Sequence, residues 1–340
     1  MRRARRYAWL LLCLAVAGGC LAACGGGGAN SLTLYNGQHP QTTQALVDAF
    51  ERQTGIKVQV RNDDEDVLAN QIVEEGAGSP ADLIYTENSP ALQFLAGRNL
   101  LAPTSASTLA AVPARYDSPE GDWVGVSARV SVLVYNTSLL SPAQLPLSVM
   151  DLAQPQWKGK LGLAPGETDF QPIVTSIAEA HGQGAALAWL KAVKANAGAR
   201  VYPSNEALTA AVSKGEAAIA VINHYYWYRQ RAELGAGAMH SAVAFFTAGD
   251  PGYVLDVSGA AVLRSSRHQA AAQKFLAFLV SRAGQEIIAR SQSFEYPLGA
   301  GVQSAQPIPA FSGLRPARLS VAQLGDGALA LKLLQEAQLL

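Results

Sequence analysis

The chain has 340 residues, with 26 basic and 26 acidic side chains, and therefore carries no formal net charge. This balance argues against a nucleic-acid-binding protein, which normally shows a basic excess or a basic stripe. Apolar residues make up 49% of the sequence and charged residues 15%, so the chain is expected to fold, in about two domains, without a disulfide or a structural metal.

The N-terminal segment has the pattern of a bacterial export signal. Arginines at positions 2, 3, 5 and 6 precede a short apolar stretch over residues 9–17, which is the order of charge and hydrophobicity in secretory signals. The stretch leads to Leu21-Ala22-Ala23-Cys24, which resembles a lipobox, the cleavage and lipidation site of bacterial lipoproteins. We predict that residues 1–23 are a lipoprotein signal peptide, that Cys24 carries the lipid, and that residues 24–30 form a flexible tether.

Two alternatives stay open for this segment. Ala17-Gly18-Gly19-Cys20 is a second candidate lipobox, although it lacks Leu at its leading position, and the apolar stretch could also stay uncleaved. Cleavage before Cys24 would remove four of the 26 basic residues and none of the 26 acidic ones, leaving a formal charge of −4. We expect a mildly acidic monomer, anchored by its lipid in the periplasm or on the outer face of the cytoplasmic membrane.

The sequence lacks the signatures of common catalytic sites. All three cysteines, at positions 13, 20 and 24, lie in or beside the export segment, so the chain that follows has no thiol for redox chemistry, metal binding or nucleophilic attack. There is also no nucleophile elbow, no glycine-rich nucleotide loop, no HExxH zinc motif and no EF-hand loop. We therefore expect that the protein is not an enzyme.

The first part of the mature chain alternates between strand and helix patterns. Strands are predicted over residues 31–35, 56–61 and 81–85, with helices over residues 42–53 and 64–75. This β-α-β-α-β order predicts a parallel sheet with helices on its faces. Ligands on such folds bind beyond the carboxyl ends of the strands.

Two extended stretches, over residues 123–127 and 130–135, separate this block from a second α/β block that begins after Pro155. The second block has predicted strands over residues 161–164, 217–223 and 254–263. Helices are predicted over residues 170–180, 184–195, 267–279 and 283–290, and one more starts at Ser204. A last helical region is predicted over residues 321–339, with an interruption near Gly325 and Gly327. Two α/β blocks joined by long extended segments predict two lobes with a hinge and a ligand cleft between them.

Four side chains follow predicted strands, where such a cleft would lie. His39 follows the first strand, Glu87 the third, and Tyr225 and Tyr226 the strand over residues 217–223. One imidazole, one carboxylate and two phenols form a hard nitrogen and oxygen set, which suits a highly charged cation such as Fe3+. The alternatives are that the Tyr225–Tyr228 run is an aromatic core or a sugar-stacking surface, and that His39 is a solvated loop histidine.

Several longer segments carry a resemblance to a known family. They read LTLYNGQH (32–39), AFERQTGIKV (49–58), EEGAGSPADLIYTEN (74–88), INHYYWY (222–228), SGAAVL (258–263) and EYPL (295–298). With these segments the sequence resembles the bacterial ferric-ion-binding proteins, the substrate-binding components of iron ABC transporters, over nearly the whole mature chain.

The resemblance implies a two-lobed periplasmic-binding fold of type II, in which each lobe is a mixed sheet with helices on both faces. It implies a first lobe of residues 31–128 plus 256–300 and a second lobe of residues 129–255 plus 301–340. It also implies that His39, Glu87, Tyr225 and Tyr226 coordinate Fe3+ in the cleft. The iron would pass to an ABC transporter permease and its ATPase. The alternative is a receptor of the same fold for an organic solute, such as a sugar, a polyamine or a phosphorylated small molecule.

Members of this family complete the iron coordination with a synergistic anion, phosphate or carbonate, and often with water. The positions that match its contacts are Asn223, Ser204, Thr168 and Arg129. One departure is that Glu167 and Asp169 stand where the family usually has small residues. Their carboxylates would repel phosphate unless they point away, and Asp169 could instead be the N-cap of the following helix.

Overall fold

The structure is a computed structural model that describes residues 31–340. The predicted signal peptide, the lipidation at Cys24 and the tether lie outside the described residues. The strands are β1 (Ser31–Asn36), β2 (Lys57–Asn62), β3 (Leu83–Thr86), β4 (Val124–Asn136), β5 (Ile219–Asn223), β6 (Ser241–Ala244), β7 (Leu255–Val262) and β8 (Tyr296–Pro297).

Helices pack around these strands, and short 3₁₀ turns join several of the elements. The helices are α1 (Pro40–Thr54), α2 (Glu65–Glu75), α3 (Ser89–Ala96), α4 (Ala106–Leu109), α5 (Gln171–His181), α6 (Gln183–Ala197), α7 (Asn205–Lys214), α8 (His224–Leu234), α9 (Gln269–Val280), α10 (Arg282–Arg290), α11 (Val321–Leu324) and α12 (Ala328–Glu336). Over residues 31–340, none of these helices is both long and apolar enough to cross a bilayer.

The first block forms the predicted parallel sheet. β1 pairs in parallel with β2 on one side and with β3 on the other, which confirms the β-α-β-α-β prediction. α1 packs on this sheet because Leu46, Val47 and Phe50 recur on one face and are buried, and it ends at Gly55 in the left-handed conformation. β3 continues the sheet through an antiparallel pairing with β7.

β4 links this sheet to a second one. Its first half, residues 124–130, pairs antiparallel with β7, and its second half pairs with β5 and β6. The sequence predicted two strands here, but they are one continuous strand of 13 buried residues. The predicted break is absent because Ala128 and Arg129 pair with Val257 and Asp256, which keeps the hydrogen-bond ladder to β7 continuous. The register of this ladder shifts only between Gly125 and Ser127.

The strand predicted over residues 161–164 is wrong. Leu161 bridges to Ile219 of β5, whereas Leu163 bridges to Val201, so the segment divides its hydrogen bonds between two partners and forms no continuous ladder. The interruption predicted in the last helical region is confirmed, because it separates α11 from α12 at Gly325 and Gly327, which both have positive φ.

Candidate metal centre

The four candidate ligands meet at the ends of three strands. His39 precedes α1, Glu87 lies between β3 and α3, and Tyr225 and Tyr226 occupy the first turn of α8, directly after β5. The Nδ1 atom of His39 lies 3.0 Å from Oε1 of Glu87, and the Tyr225 hydroxyl donates to Oε2 of the same carboxylate at 3.2 Å. The ring centroids of the two tyrosines are 4.1 Å apart. The fold therefore brings all four side chains together.

The loop between β1 and α1 holds His39 through buried amides. The Asn36 side chain donates to the Gln38 carbonyl at 2.7 Å. The Gln38 side chain donates to Ser258 at 2.7 Å and accepts from the His39 backbone N–H at 2.7 Å. Since both amides are almost fully buried, the YNGQH segment is a rigid support for the imidazole.

The loop after β3 is fixed by a buried carboxylate. Glu65, in the first turn of α2, accepts from the backbone N–H and from the side chain of Asn88, both at 2.8 Å. Burial, with Asp66 nearby, raises the pKa of Glu65 well above its ordinary value. These contacts orient the neighbouring Glu87, whose side chain is only 17% exposed.

The aromatic run at the start of α8 supplies residues both to the candidate site and to the hydrophobic core. His224 is a core residue: its Nδ1 accepts from the Val130 N–H at 3.3 Å, so its Nε2 carries the hydrogen and donates to the Phe294 carbonyl at 2.8 Å. Burial lowers the pKa of His224 to about 4. Trp227 and Tyr228 are also buried, so the aromatic-core interpretation holds for these neighbours, whereas Tyr225 and Tyr226 face carboxylates.

Asp169 is the site residue that sequence reasoning missed. The N-cap position of α5 is occupied by Phe170, not by Asp169. The Oδ2 atom of Asp169 instead accepts from Tyr226 at 2.8 Å and from Asn205 at 3.4 Å, and it shares the single hydroxyl hydrogen of Tyr225, 3.3 Å away, with Glu87. Its Oδ1 accepts from Asn88 at 3.2 Å. The available signal in the sequence was a carboxylate at a position where the resembled family usually has a small residue.

Arg129 neutralises part of this acidic cluster. Its side chain is fully buried, and its guanidinium nitrogens lie 2.8 Å from Glu295, 3.1 Å from Glu87 and 3.6 Å from Asp169. These carboxylates outweigh the cost of burial and raise the pKa of Arg129 further. Burial opposes ionisation of Glu87, but His39 and Arg129 prevail and lower its pKa to about 2.

The other residues matched to anion contacts have different environments. The Asn223 amide is buried, and within residues 31–340 both its oxygen and its nitrogen lack a hydrogen-bond partner. Ser204 caps α7, with its hydroxyl accepting from the Ala207 N–H at 3.2 Å. Thr168 accepts from Asn88 at 3.2 Å, and burial together with Asp169 raises the pKa of the adjacent Glu167 to about 7.

The electrostatics keep both phenols protonated unless a cation enters. Burial, followed by the charges of Asp169 and Glu87, raises the pKa values of Tyr225 and Tyr226 well above the ordinary value. For His39, burial opposes protonation, but Glu87 prevails and raises the pKa. A trivalent ion among these oxygens would reverse this balance for the phenols, since it stabilises phenolate.

The phenol oxygens belong to the candidate donor set at this site. Among residues 31–340, no group of three or more His, Cys, Asp or Glu side chains is arranged to hold a metal ion. The Nε2 atom of His39 is buried and has no hydrogen-bond partner in the described chain, with Oε1 of Glu295 3.9 Å away. In the neutral imidazole with its hydrogen on Nδ1, the Nε2 lone pair is therefore available. The Nδ1 atom of His39 lies 3.0 Å from Oε1 of Glu87, which is itself one of the four candidate ligands. The donor set therefore fits a hard cation such as Fe3+.

Comparison with known proteins places the chain in a family. Residues 78–311 match the model of a family described as bacterial extracellular solute-binding protein. The chain is 41% identical over 309 residues to an Fe(3+)-binding periplasmic protein of Serratia marcescens, covering 91% of this chain and 90% of that one.

The chain belongs to the bacterial extracellular solute-binding proteins and, among them, to the ferric-ion-binding group.

Solved structures of this solute-binding family share the fold. The iron-bound HitA of Pseudomonas aeruginosa is 42% identical, with a TM-score of 0.87, over 91% of this chain and 99% of that one. A Trichodesmium protein (FutA) in complex with iron and citrate is 31% identical, with a TM-score of 0.80, over 91% of this chain and 99% of that one. The expected periplasmic-binding α/β fold is confirmed, and membership of a solute-binding family agrees with the expectation of a protein that is not an enzyme.

Proposed function

We propose that this solute-binding protein captures Fe3+ through His39, Glu87, Tyr225 and Tyr226 and delivers it to the permease and ATPase of an ABC transporter. The observation that carries the proposal is the meeting of one imidazole, one carboxylate and two phenols from the ends of three strands. The iron-binding names of the Serratia and Pseudomonas relatives support the same ligand.

The chemistry of the four donors favours Fe3+ over an organic solute. Phenol oxygens are established ligands of ferric iron in proteins, and an imidazole with a free buried nitrogen completes a mixed nitrogen and oxygen set. A neutral sugar would gain no charge pairing from the clustered carboxylates. A phosphorylated solute would meet the negative charges of Glu87 and Asp169.

The two sheets that share β4 are the proposed lobes, with the boundaries 31–128 plus 256–300 and 129–255 plus 301–340. His39 and Glu87 belong to the first, and Tyr225 and Tyr226 to the second. Capture of the ion would then hold the two lobes closed, because each lobe supplies only part of the ligand set. The protein would act as a monomer in the periplasm or on the outer face of the cytoplasmic membrane, anchored through Cys24.

The four ligands leave room for at least one more in the coordination sphere. A synergistic anion, phosphate or carbonate, is one source of it, with water as a further ligand. Asn223, Ser204, Thr168 and Arg129 are the proposed contacts of such an anion. The unpartnered buried amide of Asn223 and the charge of Arg129 support this assignment most directly.

Titration of iron-free protein with ferric citrate tests the proposal. Iron bound by phenolate gives a visible charge-transfer band, and Tyr226→Phe is expected to lower the affinity for iron by about 100-fold or more. Tyr228→Phe is the matched control, because it removes a phenol from the same helix outside the site. An unchanged affinity in Tyr226→Phe, or no band in the native protein, would contradict the proposed function.

A further inference from the structure

The helix pair α9 and α10, with the loop before it, is a basic unit in an acidic protein. Residues 264–290 hold five basic side chains and one acidic side chain, a formal charge of +4. The chain that begins at Cys24 carries −4, so the rest of it sums to −8. Such an asymmetry creates a positive surface that attracts anionic partners, whatever the net charge of the whole molecule.

Three of these basic side chains are available to an ionic partner. The one acidic side chain of the segment, Glu286, lies within 4 Å of two arginines of α10. Arg264 and Arg267, in the loop between β7 and α9, and Lys274 of α9 are exposed, and within residues 31–340 no carboxylate lies within 4 Å of their charged nitrogens. Their charge is therefore directed to the outside.

An open groove lies beside Lys274, between α1 and α9. It has a volume of about 340 Å³, and its lining includes Phe50 and Thr54 of α1 and Lys274 and Phe278 of α9. The ring centroids of Phe50 and Phe278 lie 5.7 Å apart, and Lys274 is the only charged side chain of the lining. An apolar groove with a cation at its edge suits a molecule that has an anionic head and an apolar tail.

The start of the described chain lies close to this groove. Ser31 pairs with Lys57 in the sheet, and Thr54, three residues before Lys57, lines the groove. The seven residues 24–30 can span at most about 25 Å. A lipid on Cys24 would therefore keep the groove and the basic residues beside it near the bilayer.

We propose that Arg264, Arg267 and Lys274, together with the groove, form a basic surface that docks on the anionic headgroups of the bilayer. This orientation rests on the lipid anchor at Cys24, which belongs to the proposed function. Since Ser31 opens β1 and His39 follows its carboxyl end, the docked protein directs the candidate iron site away from the bilayer. Docking then favours capture of the ion, and contact between the cleft and a permease requires undocking.

Fluorescence quenching at the lipid headgroups measures this orientation. The full-length chain is produced in a bacterial host and placed in vesicles of phosphatidylcholine, or of an equal mixture of phosphatidylcholine and phosphatidylglycerol, each with a lipid that carries a nitroxide on its headgroup. No cysteine follows Cys24, so one introduced cysteine takes a fluorophore at a single place. Ala270→Cys labels the first turn of α9 and Gly166→Cys the side of the candidate iron site, and both positions are exposed.

The label at position 270, and not the label at position 166, is expected to be quenched in the anionic vesicles, and quenching should fall at high salt because the charges are screened. Arg267→Glu combined with Lys274→Glu should lower the ratio of docked to undocked protein at least about 20-fold, since each basic side chain near an anionic surface contributes about a factor of five. Lys191→Glu combined with Lys214→Glu changes the net charge equally at exposed positions of α6 and α7, and should leave quenching unchanged.

Three results would overturn the docking of the basic surface on lipid. One is equal quenching in neutral and anionic vesicles, which would make the proximity an effect of the tether alone. Another is a charge-reversed variant that docks as the native protein does. The third is quenching at position 270 only when a permease and its ATPase share the vesicle, which would identify a protein-docking surface instead.

Mass spectrometry of the isolated protein keeps this inference separate from the ferric function. A Cys24 without lipid would refute the anchor and, with it, the docked orientation. Titration of the same protein with ferric citrate decides iron capture independently, because the basic surface includes none of the proposed iron ligands.

Discussion

Arg129 is the residue on which the charge balance of the site depends. Its buried guanidinium lies among Glu87, Asp169 and Glu295, and the position in the middle of β4 gives it no route to solvent. Carboxylates gathered this closely repel one another unless a cation lies among them. The stability of the iron-free protein should therefore depend on this one side chain.

We predict that Arg129→Met lowers the free energy of unfolding by about 3 to 5 kcal/mol, because it leaves buried carboxylates without their partner. Arg282→Met is the control, since Arg282 is 71% exposed and forms only a helical surface pair with Glu286. The control should change the free energy of unfolding by less than about 0.5 kcal/mol. Urea denaturation of iron-free protein measures both, and equal effects would contradict the prediction.

Asp256 lies on β7 and pairs with Arg129 of β4. Its carboxyl group makes the free energy of unfolding depend on pH. Its two carboxylate oxygens are buried and, in the described part of the chain, lack hydrogen-bond partners; burial raises its pKa to about 7, although Arg129 opposes the rise. The unfolded chain therefore loses this proton first as pH rises, so stability falls between about pH 4 and about pH 7, by up to about 1.4 kcal/mol per pH unit.

We predict that Asp256→Asn removes this contribution. The variant should gain stability relative to the native protein as the pH is raised from 5 to 8, because asparagine does not ionise. Urea denaturation at both pH values measures the difference. If the stability difference between variant and native protein is the same at pH 5 and pH 8, the carboxyl group does not titrate as inferred.

Single residues also mark the limit of what the sequence could predict. Strand ends placed His39, Glu87, Tyr225 and Tyr226 near one another, and the structure brings them into contact. For Asp169 the sequence suggests only a capping or a repulsive effect, because its approach to the tyrosines depends on how the 3₁₀ turn Thr168–Phe170 meets α8, which begins 55 residues after Asp169. No local pattern in the sequence records that long-range contact.

At the scale of elements, the loop from β1 to α1 is wedged against α2. A Cβ atom added to Gly37 would lie 2.7 Å from the Cβ and 2.9 Å from the Cα of Glu65, so the loop has no space for a side chain there. Glu65 in turn fixes Asn88, beside Glu87. The helix α2, which supplies no proposed ligand, thus positions both His39 and Glu87.

We predict that Gly37→Ala forces this loop away from α2, lowering the free energy of unfolding by about 1 to 3 kcal/mol and weakening iron binding together with it. Gly184→Ala is the control, because no described atom lies within 4 Å of its added Cβ and it lies in α6. The control should raise stability by about 0.4 to 1 kcal/mol. Denaturation and iron titration of both variants check this, and native iron affinity in Gly37→Ala would contradict it.

Elements with a strong local pattern were predictable, and elements defined by a distant partner were not. α1 and β1 follow from periodicity and from Gly55, and they appear almost at the expected residues. β6 has only four residues and is a strand because it pairs with β4, and Leu161 and Leu163 fail to form a strand because their partners differ. Such pairings depend on the whole sheet, not on the local sequence.

For the whole molecule, Glu87 is one of the residues whose contacts join the two proposed lobes at the site. It touches His39 on its own side, Tyr225 on the other side and Arg129 on the shared strand β4. Ferric binding should therefore reduce the radius of gyration, since the ion pulls both sides onto one set of contacts.

We predict that Glu87→Ala keeps the charge-transfer band, because both phenols remain, but releases iron at least about tenfold faster and closes less completely. Small-angle scattering with and without iron measures the closure, and competition with EDTA measures the release. Tyr228→Phe, which leaves this contact intact, should close as the native protein does. A compaction in Glu87→Ala equal to the native one would show that the carboxylate does not hold the lobes together.

The unequal sharing of the proposed ligands between the two sides of β4 bears on how the ion would be released. When the cleft opens, one side would keep an imidazole and one carboxylate, while the other would keep two phenols beside Asp169. Under the proposed function, the ion would leave the histidine side first and stay with the two phenolates. The receiving transporter would then have to protonate or outcompete those phenolates, so unloading would be a directional step in which protons enter as iron leaves.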